Sequence, residues 1–236
     1  REQNSRLGNK TMCSAENAKK RGRFIVIEGI DGCGKTTQIK MLKKKIAANG
    51  GYAFMTGEPT CKSSHTPTRA GAMLANVLKG KTKIPSSAIA GLFLTDRILH
   101  NTDASLGINK FLCEGADVIC ARYYYSSLVY QGTPELFDWV FDANLNCPDI
   151  RTPDVCIFLD IDPSVSRQRI TQRHTKAEIY EQDTEMLKRA RESYIRIFDK
   201  VKEKFPEQRI EFVDASRTAE EIAEDIFKIV ESIEIK

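Results

Sequence analysis

The apolar positions of this chain fall into short runs that are separated by longer amphipathic stretches. Runs that predict β-strands lie at 23–29, 51–57, 116–122, 154–162 and 209–215, and several are apolar at successive positions. Continuous runs of this kind are typical of strands that are buried on both faces, as in a parallel sheet.

Between these runs, apolar residues recur at helical spacing. Ile39, Leu42 and Ile46 share one face after the first run, and Ile222 and Ile226 share another near the C-terminus. The alternation of strands with helices predicts βαβ units and an α/β sandwich.

The N-terminal stretch differs in charge from the rest of the chain. The formal net charge of the 236 residues is +4, and residues 1–23 alone contribute +5, which leaves −1 for 24–236. A near-neutral body gives no general electrostatic basis for binding nucleic acid, so we expect none. Residues 1–22 are predicted to be a basic, disordered tail, with part of an organelle transit peptide as the alternative, and 23–236 a single domain.

Apolar run length and cysteine usage bear on the compartment. No apolar run approaches the roughly 18–20 residues that a membrane span needs, so no membrane partner is expected. The seven cysteines are scattered and form no C-x-x-C pair. This usage predicts reduced thiols and a cytoplasmic protein.

The segment after the first predicted strand fits the pattern G-x-x-x-x-G-K-[ST] in full. It follows a strand and opens a helix, which is the context that a phosphate-binding loop requires. Its backbone N–H groups would surround the phosphates, Lys35 would reach the β- and γ-oxygens, and Thr36 would bind Mg²⁺. The predicted ATP contacts in this segment are Gly29, Ile30, Asp31, Gly32, Cys33, Gly34, Lys35, Thr36 and Thr37.

A nucleotide in this loop does not by itself define the reaction. A GTPase is expected to carry N-K-x-D, and the sequence contains none. A motor or transporter ATPase remains an alternative, because the run 154–162 ends in Asp160 and Asp162. Those two acids are equally compatible with a solvated strand end.

Three polar stretches indicate that a second nucleotide binds. They are GLFLTDRILH at 91–100, ARYYYSSLVYQG at 121–132 and SRQRITQRH at 166–174. An aromatic ring can stack on a base, amide and hydroxyl groups can read its edge, and arginine can bind a phosphate. The arginine-rich stretch is predicted to form a lid near 166–180 that brings positive charge to the reaction.

In combination, these motifs resemble those of the thymidylate kinases, within the P-loop nucleoside-monophosphate kinase family. The resemblance covers 23–236 and rests on EGIDGCGKTTQ, on EP after the second strand, on F-x-x-x-R, on RYYYSSLVYQ and on LDIDP before the arginines. It implies a three-layer α/β sandwich with a five-stranded parallel sheet and helices on both faces, and a homodimer. The implied reaction transfers the γ-phosphoryl group of ATP to dTMP, with Mg²⁺, and gives dTDP.

The resemblance also implies roles in binding dTMP. Asp31 would contact the sugar hydroxyl, Phe93 would stack on thymine, and Arg97 would read a base carbonyl. Arg122 would hold the acceptor phosphate, with Glu58 nearby. A core position is the alternative for Phe93, which lies in an apolar stretch.

Further residues would complete the two nucleotide sites. Ser126 and Gln131 would lie along the base edge, and Tyr130 would crowd the 2′ position and favour deoxyribose. Ala215, in the segment VDAS at 213–216, would lie in the loop beside adenine. At least one of the three consecutive tyrosines is expected to fill the core.

The implied catalytic residues are Lys35, Arg122, Arg169 and Arg173. Some family members place an arginine in the phosphate loop, where this chain has Gly32, and others supply it from the lid. We therefore expect Arg173, with help from Arg169, to bring charge to the transition state.

Two positions depart from the family pattern. T-R-E-P is usual after the second strand, and this chain has Gly57 in place of the arginine. D-R-[YHF] is usual after the third, and this chain has Ala121 in place of the acid. The sequence offers Glu58, Asp96 and Asp160 as compensating acids without placing them. The departures leave two alternatives open: a kinase of another pyrimidine nucleotide, and a nucleotide-binding protein that has lost catalysis.

Overall fold

The computed structural model describes residues 20–63, 67–172 and 184–235. Over these residues, five strands form one parallel sheet in the order β2-β3-β1-β4-β5. The strands are β1 (Phe24–Glu28), β2 (Ala53–Gly57), β3 (Asp117–Ala121), β4 (Val155–Asp160) and β5 (Ile210–Asp214). Each lies within one predicted run, so the strand predictions are confirmed.

Helices make the connections between the strands, and one more helix follows the last strand. In the described residues they are α1 (Lys35–Ala48), α2 (Thr60–Ser63), α3 (Arg69–Leu78), α4 (Ser86–Thr102), α5 (Ile108–Cys113), α6 (Tyr124–Tyr130), α7 (Phe137–Leu145), α8 (Pro163–Gln172), α9 (Thr184–Lys204) and α10 (Ala219–Glu231).

The direction of the connections distributes the helices over both faces of the sheet. The connection from β1 to β2 runs one way along the sheet, and every later connection runs the opposite way. Because crossovers between parallel strands are right-handed, α1 and the later crossover helices lie on opposite faces. α10 packs against α1, whereas α6 packs against α4, α7 and α9. The predicted three-layer α/β sandwich is therefore confirmed.

The central strands are buried because both faces are covered. Every residue of β1 is buried, as is β4 from Val155 to Leu159. Tyr123, Tyr124 and Tyr125 also belong to the hydrophobic core, and all three are at most 1% exposed. The prediction of a core tyrosine is thus confirmed for all three.

β1 and β3 lie side by side, and the connections change direction where they end, which is the position of the ligand crevice in open α/β folds. The helices that follow these two strands leave on opposite faces of the sheet, and ligands of open α/β folds bind at such a switch point. The phosphate loop follows β1 and Arg122 follows β3. The fold therefore brings the two predicted phosphate-binding elements to one place.

At the N-terminal ends of the strands, on the side away from the phosphate loop, Arg21 donates two hydrogen bonds to Asp154, at 2.7 and 2.8 Å. Residues 1–19 of the predicted tail lie outside the described residues. The division between tail and domain stays a prediction.

The described cysteines are of two kinds. Cys33, Cys61, Cys120, Cys147 and Cys156 are free thiols, whereas Cys113 is disulfide-bonded. The prediction of reduced thiols is confirmed for those five and wrong for Cys113. Within the described parts of the chain, no helix is long and apolar enough to cross a membrane. A cytoplasmic location stays a prediction.

Candidate active site

The phosphate loop lies between the end of β1 and the first residue of α1. Gly34 caps the helix at φ +104°, a left-handed conformation that a residue without Cβ adopts without strain. The predicted order of strand, loop and helix is confirmed. The N-terminus of α1 consequently points its free N–H groups at the loop, as phosphate binding requires.

The Lys35 side chain folds back over this loop. Its Nζ donates to the carbonyl oxygens of Gly29 and Ile30, at 2.9 Å each. Burial lowers the pKa of Lys35, and the nearby positive charge of Arg122 lowers it further. Its hydrogen bonds to the loop thus go to neutral carbonyl oxygens, which a phosphate can replace.

Gly32 lies against α8 on the other side of the loop. Its φ is +81°, and a Cβ added there would lie 2.7 Å from the Ser166 carbonyl oxygen and 2.8 Å from Ile170 Cγ1. The Ser166 hydroxyl donates to the Asp31 carbonyl oxygen. The first part of the predicted lid is thus docked on the loop and occupies the space that an arginine at position 32 would need.

Arg122 begins the segment after β3 in an unusual backbone conformation. Its φ is +63°, the left-handed region, which costs a non-glycine residue on the order of 1 kcal/mol. Its Nη2 donates to Asp31 Oδ1 at 2.5 Å, and its guanidinium carbon lies 5.3 Å from the centre of the Tyr130 ring. This conformation turns the guanidinium toward the phosphate loop.

The pKa of Asp31 reflects this charge environment. Burial alone would raise it, but the charges of Arg122 and Lys35 and the hydrogen bond from Arg122 outweigh burial and lower the pKa to about 2. Asp31 therefore stays ionised at neutral pH, between one cation from each side of the crevice.

Comparison with known proteins assigns this architecture to a family. A family model described as "Thymidylate kinase" matches residues 27–226. A protein of Pyrococcus horikoshii named "Probable thymidylate kinase" is 38% identical over 211 residues, which cover 89% of this chain and 96% of the relative. Proteins of the same name from Thermococcus gammatolerans and Methanococcus maripaludis are 38% and 32% identical over 214 residues; each alignment covers 89% of this chain, and 96% and 94% of the respective relative.

The chain belongs to the thymidylate kinase family. The resemblance found in the sequence is thereby confirmed, and with it membership of the nucleoside-monophosphate kinases. The roles of single residues are a separate matter, and the structure places each of the predicted ones as follows.

Arg97 lies inside a buried polar network and is 1% exposed. Its Nε donates to Glu58 at 2.8 Å, Nη2 donates to the Ser127 hydroxyl at 3.0 Å, and Nη1 donates to Asn144. His100 lies 3.1 Å from the other Glu58 oxygen. These contacts hold Arg97 and Glu58 to each other, and base recognition by Arg97 stays a prediction.

Phe93 lies on α4 outside the hydrophobic core. It is partly exposed, and it belongs neither to the hydrophobic core of the described residues nor to the side chains packed on that core. The core alternative for Phe93 is therefore wrong. Tyr130 is 43% exposed, and Gln131 follows it as the residue that caps α6. All three have surface left for a ligand.

Two residues predicted for the ATP side lie together. Arg169, on α8, donates to the Ala215 carbonyl oxygen at 3.0 Å. Arg169 is thus anchored on the predicted adenine loop. Arg173 and the lid beyond Gln172 lie outside the described residues.

The three acids that the sequence offers as compensation for Ala121 all have other partners. Glu58 is bound to Arg97, and Asp160 accepts two hydrogen bonds from Arg191, at 2.6 and 2.8 Å. Asp96 accepts from the backbone N–H and the hydroxyl of Thr60. Asp31 is the acid that faces the two cations of the crevice.

Sequence reasoning missed Glu28, the last residue of β1. It is fully buried, and its Oε1 accepts the backbone N–H groups of Tyr123 at 2.8 Å and of Ser126 at 3.2 Å. The available signal was an acid at the end of an otherwise apolar, doubly buried strand, because a buried carboxylate requires partners. Ser126 bonds inward to Glu28, and its predicted contact with the base stays a prediction.

Proposed function

We propose that this protein transfers the γ-phosphoryl group of ATP to dTMP and so produces dTDP and ADP. One observation carries the proposal: Lys35 and Arg122 approach the same carboxylate oxygen. Lys35 Nζ lies 3.9 Å and Arg122 Nη2 lies 2.5 Å from Asp31 Oδ1. One cation belongs to the donor loop and the other to the acceptor side, so two phosphates bound by them would meet.

The donor side is the phosphate loop and the segment after β5. The N–H groups at the start of α1 and the Lys35 ammonium bind the β- and γ-phosphates. Arg169 and Ala215 lie at the border of the proposed adenine position. The hydrogen bond between them is consistent with this placement. This assignment makes Arg169 a binding residue for the base as well as a source of charge.

The acceptor side lies between α4 and α6. Arg122 binds the 5′-phosphate of dTMP with the N–H donors that face the crevice. The exposed part of the Phe93 ring stacks on thymine, and Tyr130, whose ring lies over Arg122, limits the space near the sugar. Family membership supports thymine as the base.

Transfer in this site depends on position and charge. Phosphoryl transfer requires donor and acceptor oxygens in line and compensation for charge on the transferred group. Lys35 and Arg122 supply positive charge from opposite sides of the crevice, and Asp31 keeps the two cations from repelling each other. Arg173 is proposed to add charge from the lid.

The residues present fit a magnesium ion. Thr36 is exposed in the first turn of α1, and the Asp31 carboxylate lies in the same loop. Mg²⁺ prefers such hard oxygen ligands and takes most of its remaining ligands from phosphates and water. When bound, the ion neutralises charge on the β- and γ-phosphates, and Thr36 is the side chain proposed to hold it.

We also propose a homodimer, which the surface of the described residues supports. Met73 on α3, Leu99 on α4 and Leu106 are 58%, 38% and 44% exposed, and α3 packs against α4. Exposed apolar side chains on packed helices favour association. Light scattering on the eluting protein should give twice the mass of one chain, and a single-chain mass would contradict the dimer.

A panel of acceptors tests the reaction. ADP release by the purified protein is measured with Mg-ATP and, in turn, dTMP, dUMP, UMP, CMP and AMP. We expect dTMP to give the highest kcat/KM, with dUMP below it by roughly tenfold or more, because one methyl group contributes about 1–3 kcal/mol. A faster acceptor other than dTMP would reassign the substrate, and no acceptor-dependent release would leave a nucleotide-binding protein without this activity.

A further inference from the structure

Two hydroxyl groups stand between the buried Glu28 carboxylate and the Arg122 guanidinium. Arg122 Nη1 lies 3.1 Å from Ser126 Oγ and 3.0 Å from the Tyr194 hydroxyl. The same two hydroxyls lie 2.8 and 2.9 Å from Glu28 Oε2. Glu28 and Arg122 are therefore linked through two parallel bridges.

The direction of the hydrogen bonds from Arg122 follows from its chemistry. A guanidinium only donates, so both hydroxyl oxygens accept from Arg122. Each hydroxyl then has its own proton left for Glu28 Oε2 or for the other hydroxyl, since Ser126 Oγ and the Tyr194 hydroxyl also lie 2.9 Å from each other. Glu28 also accepts two backbone N–H groups on Oε1. The side chain of Glu28 thus has a hydrogen-bond partner on each of its two oxygens.

This arrangement fixes Arg122 in a strained position. Its backbone is left-handed, and such residues persist where their surroundings hold them. Asp31 holds Nη2, while Ser126 and Tyr194 hold Nη1. The guanidinium keeps further N–H donors for an anion, and their direction is set by these three contacts.

Ser126 and Tyr194 reach the bridge from different parts of the chain. Ser126 lies on α6, four residues beyond Arg122. Tyr194 lies on α9, is 0% exposed, and packs its ring against Phe158 of β4 and Phe198. One turn before Tyr194, Arg191 binds Asp160 at the end of β4. α9 is therefore fixed on β4, and the hydrogen bond from Arg122 to Tyr194 ties Arg122 to this fixed helix.

We propose that Tyr194 is a positioning residue for the acceptor phosphate: its hydroxyl, oriented by Glu28, holds Arg122 in the direction in which Arg122 receives the phosphate of a nucleoside monophosphate. The proposal rests on the proposed function for the identity of that acceptor. Among the described residues the Tyr194 hydroxyl makes no hydrogen bond to Lys35 or to the phosphate loop, so its removal should affect acceptor binding more than ATP binding.

Replacement of one hydroxyl group tests this role. Tyr194→Phe removes the bridge and keeps the ring in its packing. Tyr124→Phe is the matched control, because Tyr124 is 1% exposed and its hydroxyl binds Gln208 at 2.9 Å and Tyr125 at 3.2 Å, away from Arg122. For each variant, kcat, the KM for each substrate, the Kd for dTMP from calorimetry without ATP, and the melting temperature are measured.

We expect Tyr194→Phe to raise the KM and the Kd for dTMP by about tenfold, the effect of losing one hydrogen bond to a charged group. The KM for ATP should change by less than about twofold. Tyr124→Phe should lower the melting temperature about as much as Tyr194→Phe does. Both of its KM values should nevertheless stay within about twofold of wild type. Equal dTMP affinities in the two variants, or equal losses for ATP and dTMP in Tyr194→Phe, would overturn the proposal.

The binding measurement separates this proposal from the proposed function. If the wild-type protein does not turn over dTMP, the proposed reaction fails. The Kd comparison then uses whichever of dTMP, dUMP, UMP, CMP and AMP the wild type binds most tightly. Weaker binding of that nucleotide by Tyr194→Phe alone would still support the positioning role, and unchanged binding would refute it.

Discussion

Gly57 and Ala121 are register partners at the last positions of the neighbouring strands β2 and β3. These are the two positions at which the resemblance in the sequence implies an arginine and an aspartate instead. A positive and a negative group are therefore absent together from adjacent positions. The net charge at this edge of the sheet is the same with both groups or with neither.

Restoring one charge should be worse than restoring both. In Ala121→Asp the new carboxylate lies beside Arg122 without a cation of its own, so we expect the KM for dTMP to rise about tenfold, or 1.4 kcal/mol. In the double variant with Gly57→Arg, side chains from register partners can pair, and the KM should return to within about threefold of wild type. Strictly additive effects in this double-mutant cycle would contradict a coupled pair.

Lys62 offers positive charge near the position where Gly57 lacks it. It lies on α2, which begins just after β2, and its charge adds to those of Arg122 and Lys35 in lowering the pKa of Asp31 against the effect of burial. We expect Lys62→Ala to raise the KM for dTMP about threefold, and more at low ionic strength, because an exposed charge is screened by salt.

Lys40→Ala is the matched control, because Lys40 is an exposed lysine on α1. Steady-state kinetics at two salt concentrations compare the variants. If both lysine variants show the same dTMP kinetics, Lys62 has no role in binding the acceptor.

The low pKa of Asp31 predicts how its contribution to stability depends on pH. A carboxyl group whose pKa is about 2 when folded and near 3.8 when unfolded stabilises the fold above the unfolded value. This contribution is lost as the pH falls from about 4 toward 2. Urea unfolding should show the stability advantage of wild type over Asp31→Asn shrink by about 1 kcal/mol between pH 5 and pH 3. A constant difference would mean that Asp31 does not have this low pKa.

Substitutions at Gly32 and Gly80 distinguish two causes of destabilisation, backbone strain and lack of space for a side chain. Both have positive φ, +81° and +70°, but a Cβ at Gly80 would meet no atom within 4 Å, whereas one at Gly32 would strike α8. Gly80→Ala should lower the free energy of unfolding by about 1 kcal/mol, the strain alone. Gly32→Ala should lower it by about 3 kcal/mol, since overpacking adds to the strain. Equal losses of unfolding free energy in the two variants, measured by urea denaturation, would show that α8 can shift to accommodate the methyl group without loss of stability.

Local patterns predicted the fold and the phosphate loop because their determinants are close in sequence. Doubly buried parallel strands give continuous apolar runs, and the loop needs its glycines, Lys35 and Thr36 within a few residues. The same reasoning correctly identified a core position among Tyr123 to Tyr125, since a turn from strand to helix has to be covered.

Long-range partners could not be predicted in this way. Glu28 and Tyr194 are 166 positions apart, and Arg97 is bound by Asn144, 47 positions away. In the sequence, Arg97 and Ser126 are polar residues about one helical turn from aromatic residues. This spacing predicts that they contact a base. Their engagement inside the protein depends on where α7 and α9 pack, and spacing within one helix carries no information about that packing.

Product identification tests the central claim most directly. The protein is incubated with Mg-ATP and dTMP, and the nucleotides are separated by anion-exchange chromatography. We predict that dTDP and ADP form in equal amounts, and that Lys35→Ala, which removes the cation of the phosphate loop, lowers both by roughly a hundredfold or more. ADP without dTDP, or equal product yields from the Lys35 variant, would contradict phosphoryl transfer at this site.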